Sequence, residues 1–139
     1  MVEKKKDANK AKVAREISKI WGGLESDQIA TLKEHVEITK YKKGEMIYQC
    51  DETPTDAMCL LTGKVKIFKD GINGKSQIIR VIKPNEFFGF RAYFANEIYK
   101  TAAQALDTCT VVHFPLPVLM KLLQKSYKIG YYFIKYLSV

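Results

Sequence analysis

Two short stretches hold the residues whose types and spacing suit chemistry, Gly89-Phe90-Arg91-Ala92 and, further on, Lys100-Thr101-Ala102. A glycine-led turn that opens a helical turn presents backbone N–H groups, and such a cradle suits an anion. A basic side chain and a hydroxyl on the next strand can close on the same anion from the other side. The chemistry is the holding of a phosphate-like group. Bond making finds little support: there is no G-x-S-x-G elbow, and no Ser or Cys has an evident base partner. His35 ends a helical pattern and His113 sits on a late strand, so the two histidines do not make a metal set. Both are read as satisfied structural residues rather than haem ligands. No catalytic residue and no metal ligand is assigned, and the chain is not read as an enzyme.

The elements that must position these residues are short strands between helices. Val13, Ile17, Ile20 and Trp21 follow helical spacing, and Gly22-Gly23 stops that helix. Ser26 is the expected N-cap of a second helix, with Ile29, Leu32 and Val36 on its apolar face. From Val36 the period changes to that of strands. Turns fall at Lys42-Lys43-Gly44, at Gly63, at Asp70-Gly71-Ile72-Asn73-Gly74-Lys75 and at Lys83-Pro84-Asn85. Strands are expected over Met46–Gln49, Ala57–Leu61, Lys64–Lys69, Ser76–Ile82, Glu86–Phe88, Lys100–Leu106 and Thr110–Phe114. Ala92–Asn96 reads as a short helical turn. Pro117 sits in the first turn of a helix carrying Val118, Leu119, Leu122 and Leu123, and Ser126–Val139 reads as a further helix. The pattern is helices, about eight short strands, then helices, which points to a sandwich or barrel.

Composition bounds the partners. The chain has 139 residues, enough for one domain with a core, and is 47% hydrophobic and 27% charged. Its net charge is +8, but residues 1–19 alone carry seven Lys/Arg against three Asp/Glu. Half of the excess is therefore a terminal segment, read as a solvated face rather than a nucleic-acid surface. Cys50, Cys59 and Cys109 are widely separated and form no CxxC pair, which points to free thiols in a reducing compartment. Three dispersed cysteines also fall short of the four ligands of an iron–sulfur sensor. Cys59 and Cys109 are expected in the core and Cys50 in a loop. With no leader pattern and no apolar run long enough to span a bilayer, the expectation is a cytoplasmic protein without membrane contact.

Tyr41-x-x-Gly44, Ile47, Leu61-x-Gly63-x-Val65-x-Ile67, Gly74, Asn85-x-Phe87-Phe88-Gly89, Lys100-Thr101-Ala102 and Gln104-Ala105 together resemble the cyclic-nucleotide-binding fold. More narrowly, the pattern is similar to the sensor domain of the Crp–Fnr family of bacterial transcription regulators, over roughly Ile20 to the C-terminus. The resemblance implies a mainly β fold, a double-stranded, jelly-roll-like β-roll with N- and C-terminal helices that holds a small effector. It implies a basic tail and helix over residues 1–20, the roll with its flanking helices over 21–126, and the start of a dimerisation helix over 127–139. It also implies a homodimer, with DNA bound only through a following helix-turn-helix domain.

The family's cassette has a Gly-Glu pair, a short helix, then Arg followed by Ser or Thr and Ala. Its Glu accepts from the ribose and its Arg pairs with the cyclic phosphate. Gly89, Thr101 and Ala102 match, but Phe90 stands at the Glu position and Lys100 at the Arg position. Phe90 cannot accept a hydrogen bond, and a buried hydroxyl without a partner costs about 1–3 kcal/mol. Lys100 keeps the charge but not the bidentate fork. These departures count against cyclic AMP bound in the usual way and leave a small anionic effector of unknown identity. Arg91 either turns inward as a substitute anion partner or lies on the surface against Glu86 or Glu97, and the surface is favoured. The expected ligand residues are thus Gly89, Phe90, Arg91, Ala92, Lys100, Thr101 and Ala102.

In the last segment Ile129, Tyr132, Phe133, Tyr136 and Leu137 share one helix face. That face either packs back on the roll or forms a subunit interface, and the family plan favours the interface. The apolar end at Val139 suggests a piece cut before a DNA-binding domain, without which specific DNA binding is not expected.

Overall fold

The switch from helical to alternating periodicity at Val36 marks the entry into two antiparallel sheets. The computed structural model describes residues 2–138, with side chains from residue 9 onward. Met1, Val139 and the side chains of Lys4, Lys5 and Lys6 in the basic tail lie outside the described residues. In chain order the elements are α1 (Val2–Ile20), α2 (Ser26–His35), β1 (Glu37–Tyr41), β2 (Met46–Tyr48), β3 (Asp56–Thr62), β4 (Val65–Asp70), β5 (Ser76–Ile82), β6 (Phe87–Phe88), α3 (Arg91–Phe94), β7 (Ala102–Ala105), β8 (Cys109–Pro115), α4 (Leu116–Lys125) and α5 (Tyr127–Leu137). Among the described residues two compact units result, one of residues 38–113 and a mainly helical one of residues 2–37 with 114–138.

In the first unit the strands form sheets ordered β1-β8-β3-β6 and β2-β7-β4-β5. Apart from the β4–β5 hairpin, neighbours in each sheet are not consecutive in the chain, the mark of strands wound together as a roll rather than a meander. Alternate residues of both sheets point into one core. Met58 and Leu60 of β3, Val65 and Ile67 of β4, Ile82 of β5 and Val111 of β8 meet there. The β4–β5 ribbon pairs Val65 with Ile82 and Asp70 with Ser76, with an irregularity between Ile67 and Phe68. Gly63 supports the turn before β4 with a φ of +92°, and an added Cβ would lie 2.5 Å from the Thr108 carbonyl oxygen. Only glycine fits both demands.

In the helical unit, Gly22 and Gly23 at φ +95° and +93° end α1 as expected. The N-cap of α2 is Glu25, not Ser26: its backbone N–H donates to Gln28 Oε1 at 3.1 Å. The reciprocal reach of a residue at N3 decides the cap here, and Ser26 becomes the first helical residue. Trp21 is 2% exposed and stands edge-on to Phe114 and tilted to Phe133, each ring at 5.8 Å. Pro117 lies in the first turn of α4, where its missing N–H is not needed. Among the described residues, no helix is long and apolar enough to cross a membrane.

Candidate functional site

The site grows from the β6–α3 corner. β6 pairs with β3 through Met58↔Phe88 and Cys59↔Phe87, which buries both phenylalanines. The chain must then leave the sheet sharply, and Gly89 does so at φ +81°. A side chain there would collide with Met58 Cε and approach the Tyr99 hydroxyl to 3.3 Å. The Tyr99 hydroxyl donates to the Gly89 carbonyl at 2.7 Å and fastens the corner to the segment before β7.

Beside this corner lies a cavity of about 350 Å³. Its floor is apolar: Ile67, Ile82 and Phe88 are buried, and Tyr48 and Tyr99 stack face to face at 3.9 Å. Ile79 and Ile98 at its edge are 54% and 46% exposed. Its charges stand at the edge too, on Arg80, Arg91, Lys100 and Glu97. Arg80 pairs with Glu86 at 3.0 Å, and Lys100 with Glu97 at 2.9 Å. The second pair is exposed, at 69% and 45%, so holding it together contributes only about 0–1 kcal/mol.

Burial governs the tyrosines. Desolvation pushes the Tyr48 hydroxyl up to about 12, partly offset by a side-chain hydrogen bond with Thr101. Tyr99 is raised further, chiefly by desolvation and then by the neighbouring Tyr48, Asp56 and Glu52. Both hydroxyls are neutral at physiological pH and engaged within the protein.

Of the expected ligand residues, Gly89, Arg91, Ala92, Lys100 and Thr101 line the cavity. Phe90 and Ala102 do not. Phe90 is 1% exposed, edge-on to Phe94 at 6.2 Å, and Ala102 is 6% exposed. The Phe90 ring is therefore core where the family's acid would meet a ribose, because an apolar ring gains more from burial than from a polar mouth. Arg91 combines both readings made of it: it is exposed, lines the cavity, and carries its guanidinium 5.8 Å from the Phe90 ring centroid. Lys100 and Thr101 precede β7 rather than lying on it. Pairing starts at Ala102, because Tyr99 bonds instead to the 51–52 loop through Asp51 N and Glu52 O. Sequence reasoning missed Tyr48, Tyr99, Ile79, Arg80, Glu97 and Ile98 as wall residues. Ile79 lies within β5, so the sequence pattern held no signal that set it apart as a wall residue.

A second polar cluster joins β1 to β8. The Tyr41 hydroxyl and His113 Nε2 lie 2.9 Å apart, and His113 Nδ1 is 3.5 Å from Asp56 Oδ2. This satisfies His113 as a structural residue. Among the described residues no group of His, Cys, Asp and Glu is placed to hold a metal. Cys59 and Cys109 are buried and Cys50 is exposed; burial pushes the Cys59 thiol up to about 12.

On α5, Ile129 and Phe133 are 0% and 2% exposed, packed within this chain, Phe133 against Trp21. Tyr132 and Tyr136 are half-buried, and only Leu137 of the expected interface residues is exposed. The helix's exposed apolar residues are instead Tyr127, Tyr131, Ile134 and Leu137. Two of the five residues expected to meet a second subunit, Ile129 and Phe133, are thus buried inside the chain, while Tyr132, Tyr136 and Leu137 keep accessible surface.

Residues 38–126 match the cyclic nucleotide-binding domain family, and the chain belongs to that family. It is 33% identical over 75 residues to an uncharacterized protein of Haemophilus influenzae, across 53% of this chain and 58% of that one. The fold is similar to that of the Thermus thermophilus catabolite activator protein, with a TM-score of 0.73 at 15% identity over 85% of this chain and 55% of that one. It is also similar to the sensor domain of the transcriptional regulator DNR from Pseudomonas aeruginosa, with a TM-score of 0.70 at 20% identity over 79% and 76% of the chains. At these identities the structural likeness is one of fold. The chain spans less than two thirds of the Haemophilus relative and about half of the activator.

Proposed function

We propose that this chain is the effector-sensing and dimerising domain of a Crp–Fnr-like bacterial transcription regulator, and that its effector is a small anion other than cyclic AMP held in the usual way. The observation that carries this reading is the cavity at the β6–α3 corner, with an apolar floor and three cationic side chains at its edge. The family membership and the likeness to two regulators support the sensing role. Phe90 counts against the usual nucleotide contact: it offers no acceptor and is buried away from the cavity. Binding an effector would shift the population of packings of the corner and of the helices that follow the roll, and so reposition DNA-binding domains supplied elsewhere in the full regulator.

The test is calorimetric titration of the chain with cyclic AMP, cyclic GMP, inorganic phosphate and a set of small carboxylates. Binding of a non-nucleotide anion, with cyclic AMP silent at micromolar levels, is the expected result. Micromolar binding of cyclic AMP favours instead a nucleotide sensor with an altered ribose contact. A ligand-free interaction module, in which Phe87, Phe88, Phe90 and Tyr93 fill the pocket themselves, is less favoured, because Phe88 lines an open cavity and Phe87, Phe90 and Tyr93 lie outside its wall.

A further inference from the structure

We propose that the cavity takes an amphipathic organic monoanion, a carboxylate of roughly eight to ten carbons, with its tail on the tyrosine floor and its head at the cationic edge; this rests on the effector-sensing reading above. The polar atoms of the floor are already engaged. Tyr99 donates to the Gly89 carbonyl and the Tyr48 hydroxyl bonds with Thr101, so both hydroxyls are already committed within the protein. Ile67, Ile82 and Phe88 continue that apolar surface. Such a floor offers a sugar or a base edge few free hydrogen-bond donors, and an unpaired polar group there is disfavoured. An alkyl or aryl body meets no such penalty.

Ile79 and Ile98 carry the inference further. They are about half exposed, yet both line the cavity. An apolar body reaching from floor to edge removes both from water, which a compact inorganic anion cannot do. The cavity volume of about 350 Å³ lies at the small end of the range for organic-ligand sites, about 300–1,000 Å³. The charges sit only at the edge, so a single anionic head belongs there. Lys100 is the head's expected partner, because its pair with Glu97 is exposed and exchanges readily for another carboxylate. Arg91 lines the same edge and adds to the positive field.

Calorimetry on the full chain with octanoate, 1-octanol and acetate tests this, with cyclic AMP and inorganic phosphate as parallel arms. Octanoate is expected to bind, acetate to give no heat, and octanol to bind at least ten-fold more weakly. Affinity is expected to rise about four-fold per methylene from butanoate to octanoate. Lys100→Gln is expected to weaken octanoate several-fold, and Ile98→Asp to abolish its binding; both positions are exposed, so folding is not at stake. Octanol binding as tightly as octanoate, or octanoate binding unchanged by both substitutions, overturns the inference. Silence toward octanoate with binding of cyclic AMP or phosphate overturns it while leaving a sensing role in place. Silence toward every anion overturns the inference and the small-anion reading together.

Discussion

Replacing Phe90 by Glu restores, on paper, the residue that nucleotide-binding relatives use to hold a ribose. The structure leads to the opposite expectation. The ring is 1% exposed, packs edge-on to Phe94 and lies outside the cavity wall. Removing it forfeits about 3–5 kcal/mol of burial and packing, as for other large-to-small changes at buried phenylalanines. The new carboxyl must then either be buried charged or take up a proton. A rise of about three units in its pKa, usual for a buried carboxyl, costs roughly 4 kcal/mol at neutral pH. Relaxation toward solvent recovers part of both, so a net loss of about 4–6 kcal/mol is expected, comparable to the whole stability of many domains. Urea unfolding followed by fluorescence of the single Trp21, itself 2% exposed, reads this directly. The sign with pH is also set. The carboxyl's folded pKa lies above its unfolded value, so the penalty is greatest above the folded pKa and fades as pH falls through it toward about 4. A Phe90→Glu protein as stable as the parent, and gaining cyclic AMP binding, would refute the placement of this side chain.

Other consequences are as direct. Gly89→Ala forces a side chain into φ +81° and against Met58, and is expected to lower stability by about 1–3 kcal/mol in the same urea assay; an unchanged midpoint would mean the corner relaxes freely. At pH 8 one thiol, Cys50, is expected to react promptly with a disulfide reagent, and all three only after denaturation. Two fast thiols in the native protein would contradict the burial of Cys59 and Cys109. Tyr48 ionises near pH 10 when unfolded and near 12 when folded, so its contribution is intact below pH 10 and is lost as pH rises toward 12. Stability measured across that window is expected to fall by up to about 1.4 kcal/mol per pH unit for this group, and Tyr48→Phe is expected to flatten the slope.

Much of the architecture is legible in the sequence. Glycines at 44, 63, 74 and 89 punctuate the strands because each stands at positive φ, and a chain that must turn there has few other residues to use. Alternating Val65 and Ile67 declared which face of β4 is core, and Pro117 declared the start of α4. Local rules such as these depend on neighbours along the chain, so the chain alone carries them. Phe90 shows the limit. Its position beside Gly89 marked it as a ligand residue, but adjacency in sequence does not set which way a side chain turns at a corner. α5 shows the same limit for a helix face: periodicity grouped Ile129 with Tyr132, Phe133 and Tyr136, whereas only packing within the helical unit determined that Ile129 and Phe133 are consumed by the chain's own core. The cavity wall was the least legible of all. Tyr48 of β2, Ile79 and Arg80 of β5, and Ile98 and Tyr99 before β7 come from three separate segments, and their convergence follows from sheet order and strand register, which are long-range properties. Sequence by itself therefore determined the strands, the turns and the family. Tertiary structure decided which side chains face the cavity, because burial is settled by what lies across the core rather than by what lies next in the chain.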